Sequence, residues 1–177
     1  MYKMKFNLEQ AIDILSRTSS VLEPLLLGLS HEWIKNNEGE NTWSPYDVIG
    51  HLIHCEKTDW FVRTKIILSD AEDKTFEPFD RFAQMNTSKT ATISELLCEF
   101  RKLREQNLAD LKALQIDEND LSKTGIHPAL GEAKLEELLS AWVVHDFGHI
   151  AQISRVMAKQ YQANVGPWTA YLGILKS

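Results

Sequence analysis

Cysteine is scarce in this 177-residue chain: Cys55 and Cys98 are the only two. That excludes a disulfide scaffold and makes the reducing cytoplasm the expected location. Five prolines and eight glycines are too few for a collagenous or low-complexity chain. A surplus of positive charge is also missing. Nineteen Lys and Arg stand against 25 Asp and Glu, for a net charge of −6, which argues against nucleic acid as a partner because phosphate contacts need clustered cations. No apolar run approaches the roughly 18 residues needed to cross a bilayer, so no membrane association is expected. The segment Met1–Asn7 has basic residues without the apolar stretch of a signal peptide. P-loop, dinucleotide and serine-nucleophile signatures are absent as well. What is present, 44% hydrophobic and 25% charged residues, predicts one globular domain over residues 1–177 with a substantial core.

Four stretches repeat their apolar residues at helical spacing, and none alternates convincingly with period two. The first, Leu8 to Leu29, carries Leu8, Ile12, Leu15, Ser19, Leu22, Leu26 and Leu29. Asn7 is its cap candidate, and Pro24 should bend or end it near the last turn. The second, Pro45 to Ser69, opens on Ser44, Pro45 and Asp47, a cap, a first-turn proline and an acidic group at the positive end of the helix dipole. Its apolar surface is wide enough for contacts on two sides, a core and a dimer partner. The third, Ile93 to Leu114, starts with Thr92-x-x-Glu95. The fourth, Glu132 to Gln160, runs through Leu135, Leu138, Leu139, Trp142, Ile150, Ile153 and Val156, with Arg155 and Lys159 expected on its exposed side. Linkers 30–44, 70–91 and 115–131 are long for tight hairpins, so the expected architecture is an all-α four-helix bundle with long crossover connections.

The chemistry lies in the histidines. His145 and His149, four apart, stack one turn above another on the fourth helix and graze its interior side. Such a pair is a bidentate metal platform, because the two nitrogens converge without bending the backbone. Two half-buried histidines bonded to neighbours would give the same pattern. His51, at the edge of the second helix's Val48/Leu52 stripe, can add a third inward nitrogen, and three nitrogens with open positions are what a catalytic metal uses.

Trp43-Ser44-Pro45 with His51-Leu52-Ile53, and His145-Asp146-Phe147-Gly148-His149-Ile150-Ala151-Gln152-Ile153, resemble the DinB/YfiT-like superfamily. These segments match that family's W-s-p-x-x-v-x-x-H-L and H-x-x-x-H-x-x-Q-I. The resemblance implies a four-helix bundle, commonly a homodimer, holding one divalent metal (zinc, nickel or iron) on His51, His145 and His149. It implies a metal-dependent thiol S-transferase that joins a low-molecular-weight thiol to an electrophilic small molecule, or a metal-dependent hydrolase at the same site. A non-catalytic metal- or partner-binding bundle is the alternative from another class.

Asp146, beside both histidines, is expected to hold an imidazole in the right tautomer, and Glu56 is a candidate for the same support or for a solvated carboxylate. Asp59 falls on an apolar stripe and needs a partner, but lies roughly 12 Å below His51 along the helix, too far for the same metal. Cys55 reads as a core thiol or a further ligand, and His54 as a surface group. Trp43, Trp142, Trp168 and Phe79 are expected mainly in packing, and the tail around Trp168 and Tyr171 is expected to fold back on the bundle. His31 and His127 fall in linkers.

Overall fold

The computed structural model describes residues 4–86 and 90–176; the start of the Met1–Asn7 segment read for a leader lies outside them. Helix α1, Leu8–Leu26, is capped by Asn7, whose side chain accepts from the Gln10 amide. It passes through Pro24 and ends two residues later, so its last turn is shorter than the apolar spacing suggested. A short α2, His31–Lys35, follows in the first linker. Helix α3, Pro45–Thr58, begins in a full capping box in which the Ser44 hydroxyl accepts from the Asp47 amide and the Asp47 carboxylate accepts from the Ser44 amide.

The second stretch is two helices rather than one. Asp59 adopts φ −115°, ψ −90°, and α4 restarts at Trp60 and runs to Leu68. No proline or glycine marks this break. The Thr58 hydroxyl donates to the His54 carbonyl, a local bond that competes with the helical ladder just before the break. A one-turn α5, Ala83–Asn86, lies in the next linker, and α6, Ile93–Ala113, starts at the Thr92–Glu95 capping box.

The third linker contains α7, Glu118–Leu121, and a two-stranded antiparallel hairpin, β1 Thr124–His127 with β2 Gly131–Lys134, which the period-two search missed. Its strands are four residues long and mostly polar, too short to alternate visibly. The hairpin is pressed against α4 and the Phe76 segment at Gly125. There a Cβ would stand 2.5 Å from the Phe76 ring and 2.9 Å from Ile67. Gly125→Ala is therefore expected to lower stability by about 1–3 kcal/mol through overpacking, measured as a shift of the urea midpoint at unchanged slope.

The last long helix, α8, Leu135–Lys159, starts three residues later than expected because β2 occupies Glu132 and Lys134. Three short 3-10 turns complete the chain. The tail docks on α8 through buried Leu175, but Trp168 and Tyr171 stand out in solvent, contrary to their expected fold-back. In the bundle α1 lies against α6 and α8, and α3 against α6 and α8.

The core has two halves. One gathers Leu15, Trp60, Leu108, Leu139 and Trp142; the other gathers Leu22, Val48, Leu52, Phe100 and Ile153. All four long helices pass from one half to the other through a polar level that contains buried Thr18, Glu56, Arg104 and Asp146.

Candidate metal centre

The α3 and α8 helices converge at His51, His145 and His149. His145 Nε2 lies 3.2 Å from His51 Nε2 and 3.0 Å from His149 Nε2. One ring nitrogen from each histidine thus falls inside a group no more than 4.8 Å across. His149 is oriented by the next turn of α8, where its Nδ1 lies 2.8 Å from Gln152 Oε1. An amide oxygen only accepts, so Nδ1 carries the hydrogen and Nε2 keeps its lone pair for the centre. His51 Nδ1 and His145 Nδ1 are buried without hydrogen-bond partners among the described residues.

Burial lowers the pKa of His51 to about 3, reinforced by His149 and His145. It does the same for His145, with His149 and Arg104 adding to the effect. Burial also lowers His149, although the Gln152 bond and Asp146 pull the other way. Near neutral pH three uncharged imidazoles turn lone pairs toward one point, the state in which histidine ligates metal. Their separations suit a shared ion, because metal–nitrogen bonds of about 2.0–2.1 Å bring neighbouring nitrogens to roughly 3 Å.

Aromatic rings wall the centre. Trp43 packs on His51 with centroids 4.8 Å apart and lies nearly parallel to His149, and Phe79 meets His51 edge-on. Trp60 meets His145 at 5.0 Å. Cys55 Sγ lies 3.4 Å from His51 Nε2, and burial pushes its thiol pKa up. His54 is half-buried, packed against Phe79 with its Nε2 3.4 Å from the Thr58 hydroxyl, and is not among the converging histidines.

The two acidic candidates are elsewhere occupied. Asp146 accepts from the Thr18 hydroxyl and from Arg104, and Glu56 accepts from Arg104 and Asn107. Neither forms a hydrogen bond to an imidazole among the described residues. Asp146, expected to hold a histidine in its tautomer, instead has its carboxylate bonded by Arg104 and Thr18. Asp59 does find a partner, Arg63 Nε at 2.8 Å, but off the hydrogen-bond line, and burial outweighs that cation to raise its pKa to about 6. Sequence reading missed Arg104, although a lone cation within the Leu97, Phe100, Leu108, Leu111 stripe was a visible signal.

The centre opens into a cavity of about 550 Å³ lined by the three histidines with Trp43, Arg81, Phe82, Gln152, Arg155 and Glu38. Arg155 and Lys159, expected in solvent, instead hold Glu38 at 2.6 Å and 3.0 Å, which ties the 36–43 loop to α8. The Arg155 bond holds the Glu38 carboxyl down to about 2. His127 is half-buried in β1, its Nδ1 accepting from the Ala129 and Leu130 amides, while His31 is exposed.

The fold is similar to that of YfiT from Bacillus subtilis, described as a probable metal-dependent hydrolase with an unusual four-helix bundle topology. The TM-score is 0.74 at 19% identity, over 91% of this chain and 94% of that one. At that identity the likeness establishes the fold. No curated protein matches the chain. The sequence model of the DinB superfamily matches residues 14–153, a span that takes in most of α1, both segments of the second stretch, α6 and all three converging histidines. The chain belongs to the DinB superfamily.

Proposed function

We propose that His51, His145 and His149 hold one divalent ion (zinc, nickel or iron(II)) and that the protein is a metal-dependent thiol S-transferase acting on an electrophilic small molecule. The observation that carries the metal is the convergence of three neutral imidazoles at 3.0–3.2 Å. When bound, such an ion lowers the pKa of a water or thiol beside it and so provides a nucleophile near neutral pH. This chain's residues supply the rest. Gln152 fixes the tautomer of His149, Trp43 and Phe79 brace His51, and the cavity admits a molecule much larger than water.

The cavity also favours transfer over hydrolysis. Glu38 is the one carboxylate among the described residues lining it, and Arg155 and Lys159 hold it ionised. It is a poor acid for protonating the amine or alkoxide leaving group of an amide or alkyl ester, whereas a thiolate that displaces a halide or adds to an electrophile needs no such acid. The hydrolase reading draws support from the YfiT description and remains the second outcome of the test. The same proposal takes the chain as one domain over 1–177, a cytoplasmic homodimer whose partners are a small-molecule substrate and a low-molecular-weight thiol, with no nucleic acid.

The test is metal content per chain of untagged protein, beside His149→Ala. About one equivalent is expected in the wild type, by the single-site geometry, and its loss in the variant with helical circular dichroism unchanged. The loaded protein is then assayed with glutathione, bacillithiol or mycothiol and chlorodinitrobenzene, and with nitrophenyl esters without thiol. Thiol-dependent turnover supports the transferase, and ester turnover alone supports the hydrolase. Full loading without either reduces the protein to a binding module. No loading with zinc, nickel or iron(II) overturns the proposal.

A further inference from the structure

The polar level that divides the core is a wired cluster. Arg104 of α6, with its side chain 1% exposed, uses all five of its N–H groups. Nε and one Nη2 hydrogen go to Glu56 Oε1 of α3, at 3.1 and 2.8 Å. The other Nη2 hydrogen goes to Asp146 Oδ1 of α8 at 3.1 Å. Nη1 serves Asp146 Oδ2 and the Leu15 carbonyl of α1. Asn107 donates to Glu56 Oε2 at 2.9 Å, and Thr18 donates to Asp146 Oδ2. Every bond at the two carboxylates is one they accept, which is the pattern of ionised groups. Two negative charges therefore face one positive charge, almost wholly out of water. A surplus of that kind is unfavourable unless another cation is near. No second Lys or Arg pairs with either carboxylate among the described residues.

The cluster adjoins the metal centre through both ligand-bearing helices. Asp146 follows His145 directly, and Glu56 follows Cys55, whose sulfur touches His51 and lies 4.0 Å from His145 Nε2.

We propose that Glu56, Arg104 and Asp146 are positioning residues for the metal, bracing α3 against α8 and supplying one net negative charge that offsets half of the charge of the divalent ion held by the three histidines. This deepens the metal-site proposal and rests on it. Neither carboxylate needs to touch an imidazole: Arg104 fixes the spacing on which convergence of the three nitrogens depends, and the surplus charge makes the divalent ion the favoured occupant. The effect should match that of other groups that support metal ligands from behind, about 10- to 100-fold in affinity.

The experiment measures zinc affinity by competition with a chromophoric chelator, and thermal unfolding of the metal-free protein, for wild type, Asp146→Asn, Glu56→Gln and Thr18→Val. The first two remove charge with little change of shape; Thr18→Val removes a hydrogen bond to Asp146 and no charge. Asp146→Asn and Glu56→Gln should each weaken zinc by about tenfold or more, whereas Thr18→Val should bind zinc like the wild type even if its melting temperature falls. Wild-type zinc affinity in both charge variants overturns this inference and leaves the metal site standing, as long as the wild type loads and His149→Ala does not. Losses that simply follow the melting temperature in all three variants reduce the cluster to a structural role and overturn it too. A wild type that fails to bind zinc, nickel or iron(II) overturns the metal site itself.

Discussion

Replacing Arg104 with methionine should remove about 3–5 kcal/mol of folding stability, the range seen when one partner of a buried ion pair is deleted. The side chain lies between the rings of Phe100 and Trp142, at 5.0 and 5.1 Å, so methionine fills much of the same volume. What it cannot replace is five donors. Glu56 and Asp146 would be left buried, each facing the other's charge with only Asn107 and Thr18 in support. The Leu15 carbonyl would also lose its side-chain donor. Against a typical total of roughly 5–15 kcal/mol, that is a large share, and urea unfolding of the metal-free protein measures it directly. Arg104→Lys keeps the charge but has three donors on a flexible stem in place of a planar fork, so it should fall between wild type and Arg104→Met. Equal stability of all three proteins would show that the cluster contributes nothing to the fold.

Acid should destabilise the metal-free protein well before the ordinary carboxylates titrate. His51 and His145 take protons in the unfolded chain near pH 6.5 but in the folded one only near 3. Between these values the unfolded state binds more protons, so stability is full above pH 6.5 and is lost as pH falls, by about 1.4 kcal/mol per pH unit for each histidine. Asp59 acts in the opposite direction. Its folded pKa is raised to about 6, so its burial becomes less unfavourable as pH falls from about 6 toward 3.8, offsetting about one histidine. The net expectation is a loss of at least about 1.4 kcal/mol per pH unit between pH 6 and 4.5, since His149, lowered as well, adds to it. Glu38, held down to about 2, adds its own loss only below its ordinary 4.5. Urea midpoints at half-unit pH steps measure the slope. Asp59→Asn should steepen it, and His51→Ala should flatten it. A slope indifferent to both substitutions would mean that these buried groups do not set the acid limit.

The parts of this molecule governed by short-range rules could be read along the chain. Ser44 and Thr92 announce their helices because a cap acts on amides two or three residues away. The i, i+4 pair His145 and His149 shares a face because helical geometry alone puts it there. The inward edge of the Val48/Leu52 stripe likewise turned His51 toward the bundle, and the resemblance of its segment joined it to the other two.

Local patterns failed where two distant segments decide the outcome. Thr58 and Asp59 break the second stretch without proline or glycine. The 124–134 hairpin pairs its own strands over only four residues each and gains further backbone bonds from the distant Lys74–Phe76 segment.

Amino-acid order thus determined the mainly helical class and the pairing of His145 with His149, since both follow from periodicity and spacing within single helices, while the resemblance of its segment added His51 from another helix. Only tertiary structure decided how Asp146 and Glu56 are used. Their partner, Arg104, sits 42 and 48 residues away on α6, and an ion pair between helices depends on where they cross, which no spacing within one helix encodes. The same holds for the 3.0–3.2 Å approach of the three imidazoles. The sequence offers the nitrogens, and the packing of α3 on α8 brings them to one point.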